Sequence, residues 1–148
     1  MFGGLGMQAF EFETHNFTYN SHHFAVDPKL FKTDHDLSLF WTVTSTSTVP
    51  NNGTEFVASI EAKDEKYPFF ATQFHPEKPS QLWVDGYDIN HSWQSVMANS
   101  HFGNYFISLA RRNNNTYGSW TDYMNGKHDI SNYDNKQTTN MGLVWLFK

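Results

Sequence analysis

His75 and Glu77 stand two residues apart around Pro76, in the run Phe74-His-Pro-Glu-Lys78, and the pair has the makings of acid–base chemistry. Pro76 fixes its own φ and pushes His75 out of the helical region, so the tripeptide is predicted to be extended. In an extended chain residues i and i+2 project from the same face, which sets the Glu77 carboxylate beside the His75 imidazole. A carboxylate there holds one ring nitrogen as N–H. The other nitrogen is left bare to take a proton from a nucleophile, as triad chemistry requires. The chain contains no cysteine, and no serine near the pair sits in the strand-to-helix elbow that would let it substitute.

By composition alone His-Pro-Glu arises in on the order of one in a hundred chains of this length, so its setting must carry the argument. That setting is Glu55-Phe-Val-Ala-Ser-Ile-Glu61, followed by Lys66-Tyr-Pro-Phe-Phe-Ala-Thr-Gln-Phe-His-Pro-Glu-Lys78. It closely resembles the γ-glutamyl hydrolases, relatives of the class I glutamine amidotransferases. In them a Tyr-Pro-led strand runs into Gln-aromatic-His-Pro-Glu-Lys, and the histidine and glutamate serve a cysteine nucleophile. Upstream, Ser21-His22-His23-Phe24-Ala25-Val26 resembles the family's Asn-x-His or Asn-His segment, and the resemblance implies that His22 lines the substrate cleft. Downstream, Trp93 to Arg112 with Asn113-Asn114-Asn115 resembles the family's last long helix and its Ala-Arg-basic-Asn-Asn ending. The likeness extends from Met1 to about Arg112.

The resemblance also bears on the nucleophile. Gly3-Gly4-Leu5-Gly6-Met7-Gln8 looks like the family's Gly-x-Cys-x-Gly-Met-Gln elbow with Gly4 in place of cysteine, but this leaves only 70 residues between Gly4 and His75. Reading Met1-Phe2 as the segment just before the His22 region needs almost no gap. Under either alignment the thiol is absent. The N-terminal strands of the family's fold are then expected to be missing too, leaving an apolar sheet edge for a separately supplied N-terminal half or for a second copy of the chain.

The elements that must position these residues are legible in the local pattern. Thr33-Asp34 is predicted to cap a short helix through Phe40. Thr42 to Val49 and Glu55 to Ala62 are β-branched runs around the turn residues Pro50-Asn-Asn-Gly53, which predicts a hairpin. Tyr67 to Phe74 reads as a third strand whose carboxyl end delivers His75, where open α/β sheets place their chemistry. Ser92 is predicted to cap a helix whose apolar face comprises Trp93, Val96, Met97, Phe102, Phe106, Ile107 and Leu109, with Arg111 and Arg112 complementing its dipole. Residues 113–140 read as polar loop, and Gly142 to Phe147 as a closing strand. The expected fold class is α/β, the C-terminal part of a class I glutamine amidotransferase-like (flavodoxin-like) sheet with flanking helices, in one incomplete domain over residues 1–148.

Composition narrows the partners. At 148 residues the chain suffices for one core, with 39% hydrophobic and 18% aromatic residues. A net charge of −5, with basic residues scattered apart from Arg111-Arg112, argues against nucleic acid. No run of about eighteen apolar residues suggests a membrane span, and Met1 to Gly6 lacks the basic and apolar regions of a signal peptide. Four Asn-x-Ser/Thr sequons, at Asn16, Asn52, Asn90 and Asn114, would be glycosylation acceptors in a secretory route. With the family resemblance they give the expectation of a secreted, lysosomal or vacuolar glycoprotein. The eight histidines match no zinc spacing, so neither metal nor cofactor is expected.

The family's reaction is hydrolysis of γ-glutamyl bonds in folate poly-γ-glutamates. The resemblance therefore implies His75 as general base and acid, Glu77 as its orienter and His22 as a substrate-binding residue, with a chain that is inactive alone for want of cysteine. Two other readings stand beside it. One is a non-catalytic relative that binds a glutamyl ligand or a partner; the other is a glutaminase-type amidotransferase fragment.

Overall fold

The computed structural model of the chain describes residues 1–115, 118–126, 134–138 and 142–146. They fall into two compact units, Met1–Ala110 and Arg111–Lys148. In the first, Phe2–Phe10 winds in tight 3-10 turns interrupted at Gly6, whose φ of 56° and ψ of −131° suit only a residue without Cβ. A single turn of helix follows, α1 (Glu11–Thr14), and then an extended stretch up to two short helices, α2 (Leu30–Thr33) and α3 (His35–Phe40). Asp34 caps α3 as expected, its side chain accepting the Leu37 N–H at 2.9 Å. Thr33 instead closes α2, its hydroxyl donating to the Lys29 carbonyl.

The sheet of this unit has the order β1 (Trp41–Thr48), β2 (Glu55–Ala62), β3 (Phe70–Thr72), with every neighbour antiparallel. The predicted hairpin is there: β1 and β2 pair from Trp41↔Ala62 to Thr48↔Glu55, and Gly53 (φ 68°) closes the turn by donating to the Val49 carbonyl at 2.8 Å. The register shifts on both sides of Ser45, where the Thr44 and Ser45 hydroxyls both meet buried Ser59. The third strand is shorter than its apolar run. Pro68 has no N–H to give a ladder, and bonding to β2 spans only Phe69 to Gln73. The architecture is thus a mixed helix-and-sheet one, compatible with α/β.

After β3 come α4 (Lys78–Gln81) and α5 (Trp93–Ala110). Ser92 caps α5 by accepting the Ser95 N–H at 3.2 Å. The buried stripe of α5 is Ser95, Ala98, Asn99, Phe102 and Leu109, spaced to fall on one side of a 3.6-residue helix. This corrects the predicted apolar face: Trp93, Met97, Phe106 and Ile107 lie exposed. Small residues at 95 and 98 let the helix approach the body, and Phe102 and Leu109 are the bulky apolar side chains that it buries. The core is Leu5, Phe74 and Phe102, with Phe2, Phe12 and Ala9 packed on it. Phe102 meets the rings of Phe2, Phe12 and Phe74 at centroid distances of 5.6, 5.8 and 5.3 Å, all steeply inclined.

The second unit holds α6 (Trp120–Met124) and the antiparallel pair β4 (Asp134–Thr138) and β5 (Gly142–Leu146). The closing strand from Gly142 was expected. The helix was not, although Ser119 and Asp122 form a reciprocal capping box, nor was the strand that pairs with β5.

Candidate active site

The end of β3 hangs on the core. Phe74 is 5% exposed and packs on Phe102, so the next residue emerges from a fixed point. His75 is then held on both sides. Its N–H donates to the Tyr19 carbonyl at 2.9 Å, and Pro76 restricts the backbone that follows. Glu77 is the N-cap of α4, with its carbonyl accepting from Ser80 and Gln81. This fold-back is braced from behind: His91 Nδ1 donates to the Pro79 carbonyl at 2.8 Å, and its ring lies flat on Trp83 at 3.8 Å.

These restraints bring the expected pair together. His75 Nδ1 donates to Glu77 Oε1 at 2.9 Å. The protonated Nδ1 leaves Nε2 as the acceptor, the tautomer that a general base needs. The two side chains are 38% and 48% exposed, so the pair lies open to water and contributes little to stability by itself. Tyr19 borders the imidazole at 6.2 Å between centroids, and Tyr87 backs Tyr19 at 6.1 Å.

His22 is engaged differently. Its Nδ1 donates to the Phe24 carbonyl at 2.9 Å, and its Nε2 lies 3.2 Å from Asn20 Oδ1. The ring stands edge-to-face on Phe56 at 5.3 Å. His22 follows Tyr19 by three residues, so its Cα lies at most roughly 11 Å from that of Tyr19. No hydrogen bond or ring contact joins His22 to His75 or Glu77.

A cavity of about 590 Å³ lies beside the sheet between Phe2, Phe12, Phe74, Ala58 and the hydroxyl row of β1. Its lining includes Phe74 and Asn20, chain neighbours of His75 and His22, but none of His75, Glu77 and His22. The cavity's titratable side chain is the exposed Glu13 carboxylate, with no histidine in the lining, whereas the His75–Glu77 pair sets a carboxylate against an imidazole. Among the described residues no cluster of His, Asp and Glu is arranged to hold a metal ion.

No family model matches the chain. Curated proteins do. γ-Glutamyl hydrolase B of Dictyostelium discoideum is 33% identical over 100 residues, which is 68% of this chain and 28% of that protein. Probable γ-glutamyl hydrolase 3 of Arabidopsis thaliana is 35% identical over 95 residues, 64% of this chain and 26% of the relative. γ-Glutamyl hydrolase of Mus musculus is 31% identical over 102 residues, 69% and 31%. The chain belongs to the γ-glutamyl hydrolase family. It spans about three tenths of the length of these curated relatives.

Within this γ-glutamyl-hydrolase-like chain, sequence reasoning located the pair but passed over what holds it. Tyr19 carries no motif, and its role follows only from the segment 17–20 crossing the end of β3. Asn99 was equally silent. Its amide is 2% exposed and donates to the Phe17 carbonyl at 2.9 Å, anchoring that segment to α5. A polar residue on the buried side of a predicted helix was the one available signal.

Proposed function

We propose that this chain carries the acid–base part of a γ-glutamyl hydrolase site, on the C-terminal part of a class I glutamine amidotransferase-like, flavodoxin-like scaffold. His75 is the general base and acid, Glu77 its orienter, and His22 a residue shaping the substrate cleft. One observation carries the reading: the 2.9 Å Nδ1–Oε1 contact, made by the His-Pro-Glu motif that the resemblance picks out. In the reaction class, a thiolate attacks the γ-glutamyl carbonyl carbon, the C–N bond breaks, and the histidine gives its proton to the departing amine. Water then cleaves the thioester, with the same histidine taking the water's proton. The substrate class would be folate poly-γ-glutamates. With its sequons, the protein would be a glycoprotein of a secreted or lysosomal route.

Because no cysteine is present, the polypeptide by itself is expected to bind without turning over. The test is an assay of the purified chain on a γ-glutamyl-linked folate and on a chromogenic γ-glutamyl amide. No release is expected from either; turnover that disappears in His75→Ala would show a substitute nucleophile and end the reading of an incomplete site. The absence of cysteine equally favours a second reading, a non-catalytic module that holds a glutamyl ligand. Ligand binding with no turnover, unchanged on mixing with a cysteine-bearing N-terminal fragment, would decide for it.

A further inference from the structure

The described contacts of His75 run on one side to Glu77 and on the other to Tyr19, a residue far away in sequence. Tyr19 acts twice. Its carbonyl accepts the His75 N–H at 2.9 Å, fixing where the main chain leaves the sheet, and its ring lies 6.2 Å from the imidazole at 45°. The ring is itself backed by Tyr87 at 6.1 Å, on a loop that turns at Gly86 with φ 87°. The segment carrying Tyr19 is anchored in the core: Phe17 is 3% exposed, and its carbonyl accepts from buried Asn99 at 2.9 Å. Asn99 also donates to the Ser95 carbonyl, while its Oδ1 has no partner among the described residues. A buried amide with an unsatisfied oxygen is costly, and here it holds the carbonyl two residues before Tyr19.

A histidine at a strand end has two torsions free to turn its ring. Glu77 restrains one edge of the imidazole, yet an exposed carboxylate can follow a rotating ring. A side chain packed beside the imidazole restrains the plane instead. We infer that Tyr19 is a positioning residue for His75, holding the imidazole in the plane where Nδ1 faces Glu77 and Nε2 faces outward. The inference rests on the proposed acid–base role of the pair only for its meaning; the positioning itself is measurable without turnover.

The test is a long-range ¹H–¹⁵N correlation spectrum of the full chain, at a pH where the imidazole is neutral, since nitrogen shifts tell a protonated ring nitrogen from a bare one. In the wild-type chain His75 should show a protonated Nδ1 and a bare Nε2. In Tyr19→Ala the separation between the two shifts should fall by about half or more, because a ring no longer held exchanges between tautomers. Tyr19→Phe, which lacks only the hydroxyl, should keep the wild-type pattern. His91 reports the fold, and its shifts should stay in place. An unchanged His75 pattern in Tyr19→Ala, with a changed one in Glu77→Gln, overturns the role of Tyr19 and leaves the pair standing. A pattern unchanged even in Glu77→Gln means instead that the reading of the pair fails. Where Tyr19→Ala disturbs His91 as well, Tyr87→Ala decides: a smaller loss of separation supports the inference, and none overturns it.

Discussion

The two ends of the Tyr67–Phe74 run carry hydrogen-bonded pairs of the same spacing and the same length. At the amino end, Lys66 Nζ lies 2.9 Å from Asp64 Oδ2; at the carboxyl end, His75 Nδ1 lies 2.9 Å from Glu77 Oε1. What differs is the support. Asp64 and Lys66 are held by each other, by an Asp64–Lys66 N–H contact at 3.0 Å and by the Tyr67 ring under the Lys66 ammonium. The carboxyl-end pair follows a core phenylalanine, is tied to a second segment through Tyr19, and runs into a braced helix start. A short donor–acceptor distance is therefore no mark of a site on its own. A pair is preorganised when elements outside it fix where its residues leave the main chain, and of these two pairs the carboxyl-end one has that support.

The strongest way to break this contrast is to remove the support and leave both pairs in place. Phe102→Ala empties the centre of the ring cluster beneath Phe74 and should cost about 3–5 kcal/mol, read as a drop in urea midpoint. In the folded fraction His75 should lose its fixed tautomer while Lys66 and Asp64 are undisturbed. Asn99→Ala comes next. It leaves the Phe17 carbonyl without its donor, which should cost about 1–3 kcal/mol, partly offset because the unsatisfied Oδ1 goes with it. An Asn99→Ala chain as stable as wild type would show that segment 17–20 does not depend on α5.

Much of this was open to a reader of the sequence, and the reason is locality. The pairing of His75 with Glu77 was expected, but from an extended tripeptide; Pro76 and Glu77 instead turn into α4, with Glu77 helical at φ −77° and ψ −26°, and that local turn brings the two side chains together. The hairpin follows from Pro50-Asn-Asn-Gly53 between two β-branched runs, and the bounds of β2 agree with expectation to the residue. What the sequence hid was long-range. The ties Tyr19 to His75 and Asn99 to Phe17 join positions 56 and 82 residues apart, and the one local signal of either is a polar residue on the buried side of α5. The face of α5 misled because apolar identity was read as burial, whereas close approach to the body selected Ser95, Ala98 and Asn99. Trp93, Met97, Phe106 and Ile107 are therefore the exposed apolar residues of that helix.

Removing the pairs themselves should matter less than removing their support. Glu77→Ala and His75→Ala each delete an open contact, and each should change stability by no more than about 1 kcal/mol. The effect of Glu77→Ala should appear in the His75 nitrogen shifts, and neither variant should move the urea midpoint by more than that. A loss comparable to that of Phe102→Ala would mean that the pair supports the fold, contrary to the contrast drawn above.

The smallest effect is expected at the amino end, and it has a defined pH window. The hydrogen bond from the Lys66 side chain, and then that from its N–H, hold the Asp64 carboxyl below its ordinary value of 3.8. The same side-chain bond, with the Asp64 charge, holds the Lys66 ammonium above 10.5. A lowered acid stabilises the fold above its unfolded value and ceases to do so as pH falls through the lowered one. A raised base stabilises it below its unfolded value and ceases to do so as pH rises through the raised one. The pair thus acts between roughly pH 4 and 10.5, and both groups are so exposed that water screens most of its worth. Lys66→Met should move the thermal midpoint at pH 7 by no more than roughly two degrees, and the difference from wild type should fade as pH falls through the lowered Asp64 value. A larger shift would place a structural pair at the amino end, and the two ends of the strand would then differ in chemistry rather than in support.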